Sequence, residues 1–151
     1  MKNIILITFL FFIYNCGYTS VYNPKNIDFQ ISVKEVQGDR GMNNLIKNEL
    51  RLYSNKKSTN IYNIKVNTNY KKDTLTKNSS GIITDYSLSV ISVFVINFNE
   101  NTEIVKFEEN INIKNQADTF EQKIYEENIK RNFASSIRRK LISKILSIND
   151  N

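Results

Sequence analysis

The chain has 151 residues, with 21 lysines and arginines against 15 aspartates and glutamates, no histidine, no tryptophan and a single cysteine. That is one domain's length, and the missing histidines and second cysteine exclude the common zinc sites, a histidine-based triad and a structural disulfide. No pair of carboxylates stands in a catalytic context, so the chain reads as a non-enzyme with no cofactor and no metal.

Lys2 opens the chain and Ile4 to Tyr14 then run almost without a polar group. A bilayer-spanning helix needs roughly 20 apolar residues, and this run is too short. It fits a secretory h-region of about 7–15 residues behind a charged start, so residues 1–15 read as a signal peptide. Cys16 follows at once, where a bacterial lipoprotein keeps its lipidated first residue. Ile13 suits the aliphatic place three before that cysteine, whereas Tyr14 and Asn15 are not the small residues the peptidase prefers. The plain alternative is a signal peptide with an incidental cysteine in its tail. An exported lone cysteine would be a free thiol liability, and acylation removes it. Gly17 stands where an aspartate commonly retains Gram-negative lipoproteins at the inner membrane, which points to the outer membrane on its periplasmic side.

Residues 16–26 read as the lipidated start and a tether, with Ser20, Asn23 and the only proline, Pro24. The domain is expected over 27–151. Ile27, Phe29, Ile31 and Val33 alternate with Asp28, Gln30, Ser32 and Lys34, the period of a strand with one wet face. Gly38 and Gly41 are expected to break it. Met42, Leu45, Ile46, Glu49, Leu50 and Tyr53 then form a mostly apolar stripe at helical spacing. After a polar stretch, Tyr62, Ile64, Val66, Thr68 and Tyr70 share one face of a second strand. Strand, helix, strand predicts a right-handed crossover with parallel strands.

Lys71 to Ser80 is expected as a loop carrying Lys71, Lys72 and Lys77, closed by Gly81. A long third strand runs from Ile82 to Phe98 with its even positions inward. Its odd face is polar at Asp85, Ser87 and Ser89, then apolar at Ile91, Val93 and Val95. That strip is either a local bulge, a surface covered by a loop or the tether, or a docking strip for a partner. Asn97 to Asn101 reads as a hairpin. In the fourth strand Val105, Phe107, Ile111 and Ile113 should point inward and Lys106, Glu108, Asn110 and Asn112 outward.

The last helix spans about Thr119 to Ser147, with Asp118 and Glu121 as an N-terminal capping pair. Phe120, Ile124, Ile129, Phe133, Ile137, Leu141 and Ile145 are its expected buried row. Acidic groups lie early and basic groups late, as the helix dipole favours. Arg138-Arg139-Lys140 is therefore either dipole complement on a wet face or a phosphate-binding patch. The order β-α-β-β-β-α predicts an α/β (α+β) two-layer sandwich, a four-stranded mixed sheet with two helices on one face. The basic excess is either solubilising or suited to a phosphate-bearing partner. For an exported chain without a nucleic-acid motif, that partner is anionic lipid or lipopolysaccharide and not nucleic acid.

Four stretches resemble the LptE family of lipopolysaccharide-assembly lipoproteins in its alphaproteobacterial form. Cys16-Gly17-Tyr18-Thr19-Ser20-Val21-Tyr22 is similar to its Cys-Gly-Phe-x-Pro-Leu-Tyr start, with Ser20 at the usual proline. Asn44-Leu45-Ile46-Lys47-Asn48-Glu49-Leu50 resembles its first-helix motif, and Gly81-Ile82-Ile83-Thr84-Asp85-Tyr86-Ser87-Leu88 the opening of its third strand. Ile137-Arg138-Arg139-Lys140-Leu141 is similar to its closing helix. The resemblance implies an outer-membrane lipoprotein that plugs the LptD β-barrel, supports its assembly and binds lipopolysaccharide on its way to the cell surface. The alternative is an outer-membrane lipoprotein that binds anionic lipid or a protein without a barrel. Lys77 and Lys114 lie nearest the family's ligand-binding loop positions, while Asp85 stands where several relatives carry arginine. Acyl-chain labelling is expected to mark the wild-type chain and to fail on Cys16→Ala; an equally labelled variant rules out Cys16 as the anchor.

Overall fold

The computed structural model describes residues 28–54 and 57–149. The leader over 1–15, Cys16, the tether over 16–26 and Ile27 lie outside the described residues. The elements are β1 (Gln30–Gly38), α1 (Arg40–Ser54), β2 (Ile61–Lys77), β3 (Ile83–Phe98), β4 (Asn101–Lys114) and α2 (Thr119–Asn149). The four strands form one mixed sheet in the order β1-β2-β3-β4, and both helices lie on one face. β1 runs parallel to β2, and β2, β3 and β4 form an antiparallel meander. The expected two-layer α+β sandwich is the fold observed.

β1 starts as its alternation dictates, with Phe29 and Ile31 buried and Val33 packed against the core. The register then slips between Val33 and Glu35, leaving Lys34 as an extra residue. This bulge places Val36 beside Val66 and turns Glu35 outward, where Lys65 Nζ lies 3.0 Å from its carboxylate. Without the extra residue Glu35 would face the core.

The two glycines expected to break the strand act differently. Gly38 is still in β1, at φ 86°, and makes the turn into α1. A Cβ there would sit 2.0 Å from the Thr68 carbonyl oxygen. Asp39 N donates to that same oxygen at 2.7 Å. Its Oδ1 accepts from Met42 N at 2.7 Å, the N-cap of α1. Asn43 Nδ2 donates to Gln37 O, which ties the helix to the end of β1. Gly41 lies inside the first turn of α1 and breaks nothing.

The core lies between the sheet and the helices. Tyr62, Ile64 and Val66 from β2 and Leu88, Val90, Phe94 and Ile96 from β3 face Met42, Ile46, Leu50 and Tyr53 of α1 and a stripe of α2. At its centre the buried hydroxyls of Thr68 and Ser92 satisfy each other at 3.1 Å. At one end Tyr53 stacks on Phe29, Phe29 meets Tyr62 edge-on, and Tyr62 stacks on Phe98.

Three expectations need correcting. Lys71 to Lys77 is strand, not loop: β2 is 17 residues long, and Lys71 to Thr76 pair with Ser89 back to Asp85. Backbone pairing along β3 holds these polar residues extended, and a bulge sits between Thr74 and Thr76. Second, Phe120 and Ile124 are not in the buried row of α2 but are 70% and 46% exposed. At 3.6 residues per turn they lie about 180° and 140° around the helix from Ile129. Gln122 and Glu126 take the inward place instead. Third, two residues expected to point inward are exposed: Ile111 at 40% on the β4 edge, although its neighbour Leu88 is fully buried, and Ile82 at 62%, in the turn before β3 begins.

The capping aspartate of α2 is as expected: Asp118 Oδ1 accepts from Phe120 N at 2.7 Å and Glu121 N at 2.9 Å. The basic residues late in α2 do more than complement a dipole. Arg138 pairs with Glu49 of α1, and Lys140 and Lys144 pair with Glu109 and Glu103 of β4.

Gly38 and Gly81 both have positive φ, but a Cβ at Gly81 meets nothing within 4 Å. Gly81→Ala is expected to cost about 1–2 kcal/mol, the conformational term alone. Gly38→Ala adds a backbone clash and is expected to cost about 3 kcal/mol or more, read from urea denaturation of the two variants.

Candidate functional site

The far half of the β2–β3–β4 meander collects the residues singled out for ligand binding. Its tip, 78–82, is built by one side chain. Asn78 Oδ1 accepts from Ser80 N at 3.0 Å and Ile82 N at 2.9 Å, while Gly81 N donates to the Asn78 carbonyl. Gly81 supplies the positive φ that lets the chain reverse.

Below the tip, Lys77 pairs with Ile83, and on the next rung Thr76, Asp85 and Lys114 stand side by side across three strands. Paired residues share a face, so Thr76, Asp85 and Lys114 point to the side of the sheet away from the helices, whereas Lys77, next to Thr76 along β2 and beyond a second bulge at Thr84, starts from the opposite face. Strand spacing puts the Cα atoms of Lys77 and Lys114 about 12 Å apart. Neither ammonium is in an ion pair among the described residues. The fold thus unites two lysines that are far apart in sequence.

Asp85 sits between them. Hydrogen bonds from Thr76 and then Thr84 hold its carboxyl below the usual range, with the Lys114 charge a smaller contribution against a slight burial effect. It stays ionised at neutral pH, so an acidic group stands directly beside Lys114 on this rung. Among the described residues no group of three histidines, cysteines, aspartates or glutamates is arranged to hold a metal ion.

Lys72 belongs to a different place. It is on the helix-facing side, over the Tyr86 ring at 3.9 Å and in an ion pair with Glu126. Gln122 Nε2 donates to the same carboxylate, and Gln122 Oε1 accepts from Gln116 N. Lys130 lies 4.7 Å from the Tyr70 ring centroid. This polar seam joins the start of α2 to the far half of the sheet. Its signal in the sequence was the even spacing of Tyr70, Lys72 and Thr74, which continues the inward face of β2 past its apolar part.

Burial pulls the Glu126 carboxyl upward, but the bonds from Lys72 and Gln122 and the charges of Lys72 and Lys130 outweigh it, and its pKa is lowered. Tyr70 is pushed up to about 12, first by burial and then by the nearby carboxylates of Glu126, Asp39 and Glu127.

Ile91, Val93 and Val95 lie elsewhere on the outer face, beyond Ser87 and Ser89 and toward the β3–β4 turn. No register slip occurs along them, so the strip is not a bulge. Lys114 and the apolar strip are two separate regions of one face.

The architecture is a small two-layer α+β domain. Rare lipoprotein B from Shewanella oneidensis matches with a TM-score of 0.58 at 14% identity, over 80% of this chain and 98% of that one. A candidate lipoprotein from Caulobacter crescentus CB15 matches with a TM-score of 0.56 at 10% identity, over 80% of this chain and 90% of that one. At these identities the likeness is one of fold. No family model and no curated sequence matches the chain.

A lowered Glu126 pKa contributes stability that is present above the ordinary value of 4.5 and lost as pH falls through the folded value. Lys72→Met is therefore expected to destabilise by about 1–2 kcal/mol at neutral pH. The gap from wild type should shrink as pH falls below that range, in urea titrations at pH 7 and pH 3.

Proposed function

We propose that this chain is a lipid-anchored outer-membrane subunit of the lipopolysaccharide translocon, sitting inside a large β-barrel and contacting lipopolysaccharide on its way out. The observation that carries this reading is the outer face of the sheet. No described element covers it, and it is mostly polar, with Ile61, Ile91, Val93, Val95 and Ile104 as its apolar members. A wall of that kind suits a water-filled barrel, where a wholly apolar face would be exposed at a cost. Lys114 at the far end of this face, and Lys77 beside the hairpin tip, supply ammonium groups for lipid phosphates. Exposed Leu75 and Ile82 beside them offer apolar surface for an amphiphile. The likeness in fold to two proteins described as lipoproteins agrees with Cys16 as the anchor.

The domain has no catalytic part in this reading. Its work is to fill space, to hold the barrel open to water and to present charge. Full-length protein purified from envelope extract in mild detergent is expected to bring down a large outer-membrane barrel protein. Recovery only as a free monomer overturns the plug. Lys77→Glu/Lys114→Glu is expected to weaken lipid A binding at least about tenfold, since each surface lysine is worth about 1 kcal/mol against an anionic headgroup. Recovery of the barrel should be unchanged in that variant. Undiminished lipid binding refutes the two lysines as the contact.

A further inference from the structure

β1 and α1 stop half-way along the sheet, and β2 does not. Pairing of β1 with β2 ends at Gly38 and Thr68, whereas β2 runs on to Lys77. From Asn69 onward β2 is an edge strand, and among the described residues no strand lies beside it on that side. The Asn60 and Thr68 carbonyls accept from Gln30 N and Asp39 N, so the even residues of this strand turn their backbone groups toward β1. The register with β3 is unbroken from Asn63 to Thr74, so Tyr70, Lys72 and Thr74 turn theirs the same way, past the end of β1. An exposed ladder of this kind is a template for one more strand.

The helix layer is open at the same place. α1 runs against β1, with Asn43 Nδ2 donating to Gln37 O and Gln30 Nε2 donating to Ser54 O. α2 runs against β4, where Lys140 and Lys144 reach Glu109 and Glu103. β1 and β4 point the same way, so the two helices do too. Arg138 meets Glu49, and α1 begins at Arg40, about level with Ile129 of α2. Before Ile129, α2 has no described helix on that flank. At 3.6 residues per turn, Phe120, Ile124, Glu127 and Arg131 lie within about 40° of Arg138. They continue the stripe that α1 covers at Ile142 and Ile145. Phe120 and Ile124 are bare, and with Lys123 and Arg131 they line a depression of about 300 Å³.

We propose that this opening is a strand-addition site for a short, extended, acidic segment of another protein. The segment pairs with β2 from Tyr70 to Thr74, in the place β1 would fill if it were longer. The bulge after Thr74 ends the usable ladder. Alternation gives the segment two faces. Its inward side chains rise toward the flank of Phe120 and Ile124, which favours apolar residues at every second place. The others join the outer face beside Lys71. Arg40, Lys71, Lys123 and Arg131 border the site, and none is in an ion pair among the described residues. Against them stand Asp73 and Glu127. That surplus favours carboxylates on the visitor and disfavours a second copy, which brings the same surplus. Length disfavours the chain's own start. Tyr70 lies about 35 Å from Asp28 by strand spacing. In the lipid-anchored reading only residues 16–27 precede Asp28, about 40 Å when extended, which leaves too little to pair.

Amide hydrogen exchange tests this on the chain from residue 16, with Cys16→Ser. The probe is a blocked seven-residue peptide alternating glutamate with valine. At about 1 mM peptide the amides of Tyr70, Lys72 and Thr74 are expected to exchange about tenfold more slowly, the effect of a Kd near about 0.1 mM. Amides of β4, the opposite edge, are expected to be unchanged. The same peptide with lysine for glutamate is expected to protect none of them. Ile124→Asn, at an exposed position, is expected to weaken binding about fivefold through lost apolar contact. No slowing overturns the proposal, as does equal slowing by the lysine peptide, equal slowing along β4, or full binding by Ile124→Asn. Amides of Tyr70, Lys72 and Thr74 already slow in the free protein assign the edge to the chain's own start. If that slowing rises with protein concentration, it assigns the edge to a second copy; either result overturns the proposal.

Discussion

One-sided burial governs this molecule. Two helices roof a single face of a four-stranded sheet, so every strand must send its apolar side chains the same way. A strand alternates strictly, and a slip of one residue would send its whole apolar set to water. β2 meets that demand with unbroken alternation from Tyr62 to Tyr70, and β3 sends Leu88, Val90, Phe94 and Ile96 to the roofed side while its outward Ile91, Val93 and Val95 stand as the exception. β1 meets it only by absorbing Lys34 in a bulge, which keeps Val36 on the roofed side and Glu35 off it. The parallel crossover that seats α1 closes on Gly38, where the Thr68 carbonyl leaves no room for a side chain.

Residue periodicity carried most of this architecture into view. The element order, the parallel first pair and the inward faces of β2 and β3 follow from where apolar residues recur. Failures came where burial stops. Past Tyr70 the strand has polar residues on both faces, and a period that depends on burial vanishes although backbone pairing continues. Phe120 and Ile124 are apolar, but the helix turns by its own geometry and not by composition, and that rotation gives Gln122 and Glu126 the inward place. At the candidate site, the fold puts Lys114 on a rung with Asp85 and Thr76 and Lys77 on the rung next to it. The hold of Thr76 and Thr84 on Asp85, and the inward burial of Lys72, depend on register and could not be read from spacing.

The basic run late in α2 shows how packing decides the role of charge. Arg138 reaches Glu49 on the other helix, and Lys140 and Lys144 reach Glu109 and Glu103 on the edge strand. Such half-exposed pairs each contribute little to stability. They do select one rotation of the helix, because a turn of α2 by one residue breaks all three together. Glu109 is also bonded by Ser136 Oγ at 2.7 Å, so the β4 edge is gripped from two turns of the helix. With its carboxylates engaged in this way, the edge keeps few groups to offer a visiting polyanion or polycation.

The aromatic stack from Phe29 to Phe98 marks one pole of the molecule, and Ile148 borders the same region beside Phe98 and Asn101. The described chain therefore enters and leaves at a single pole, while the turn held by Asn78 stands at the other, about 50 Å away by strand length. Cargo joined directly before Asp28 or directly after Asn149 would crowd the aromatic pole. The hairpin pole can in turn be lengthened, shortened or exchanged between relatives without disturbing how the chain is attached to whatever precedes or follows it.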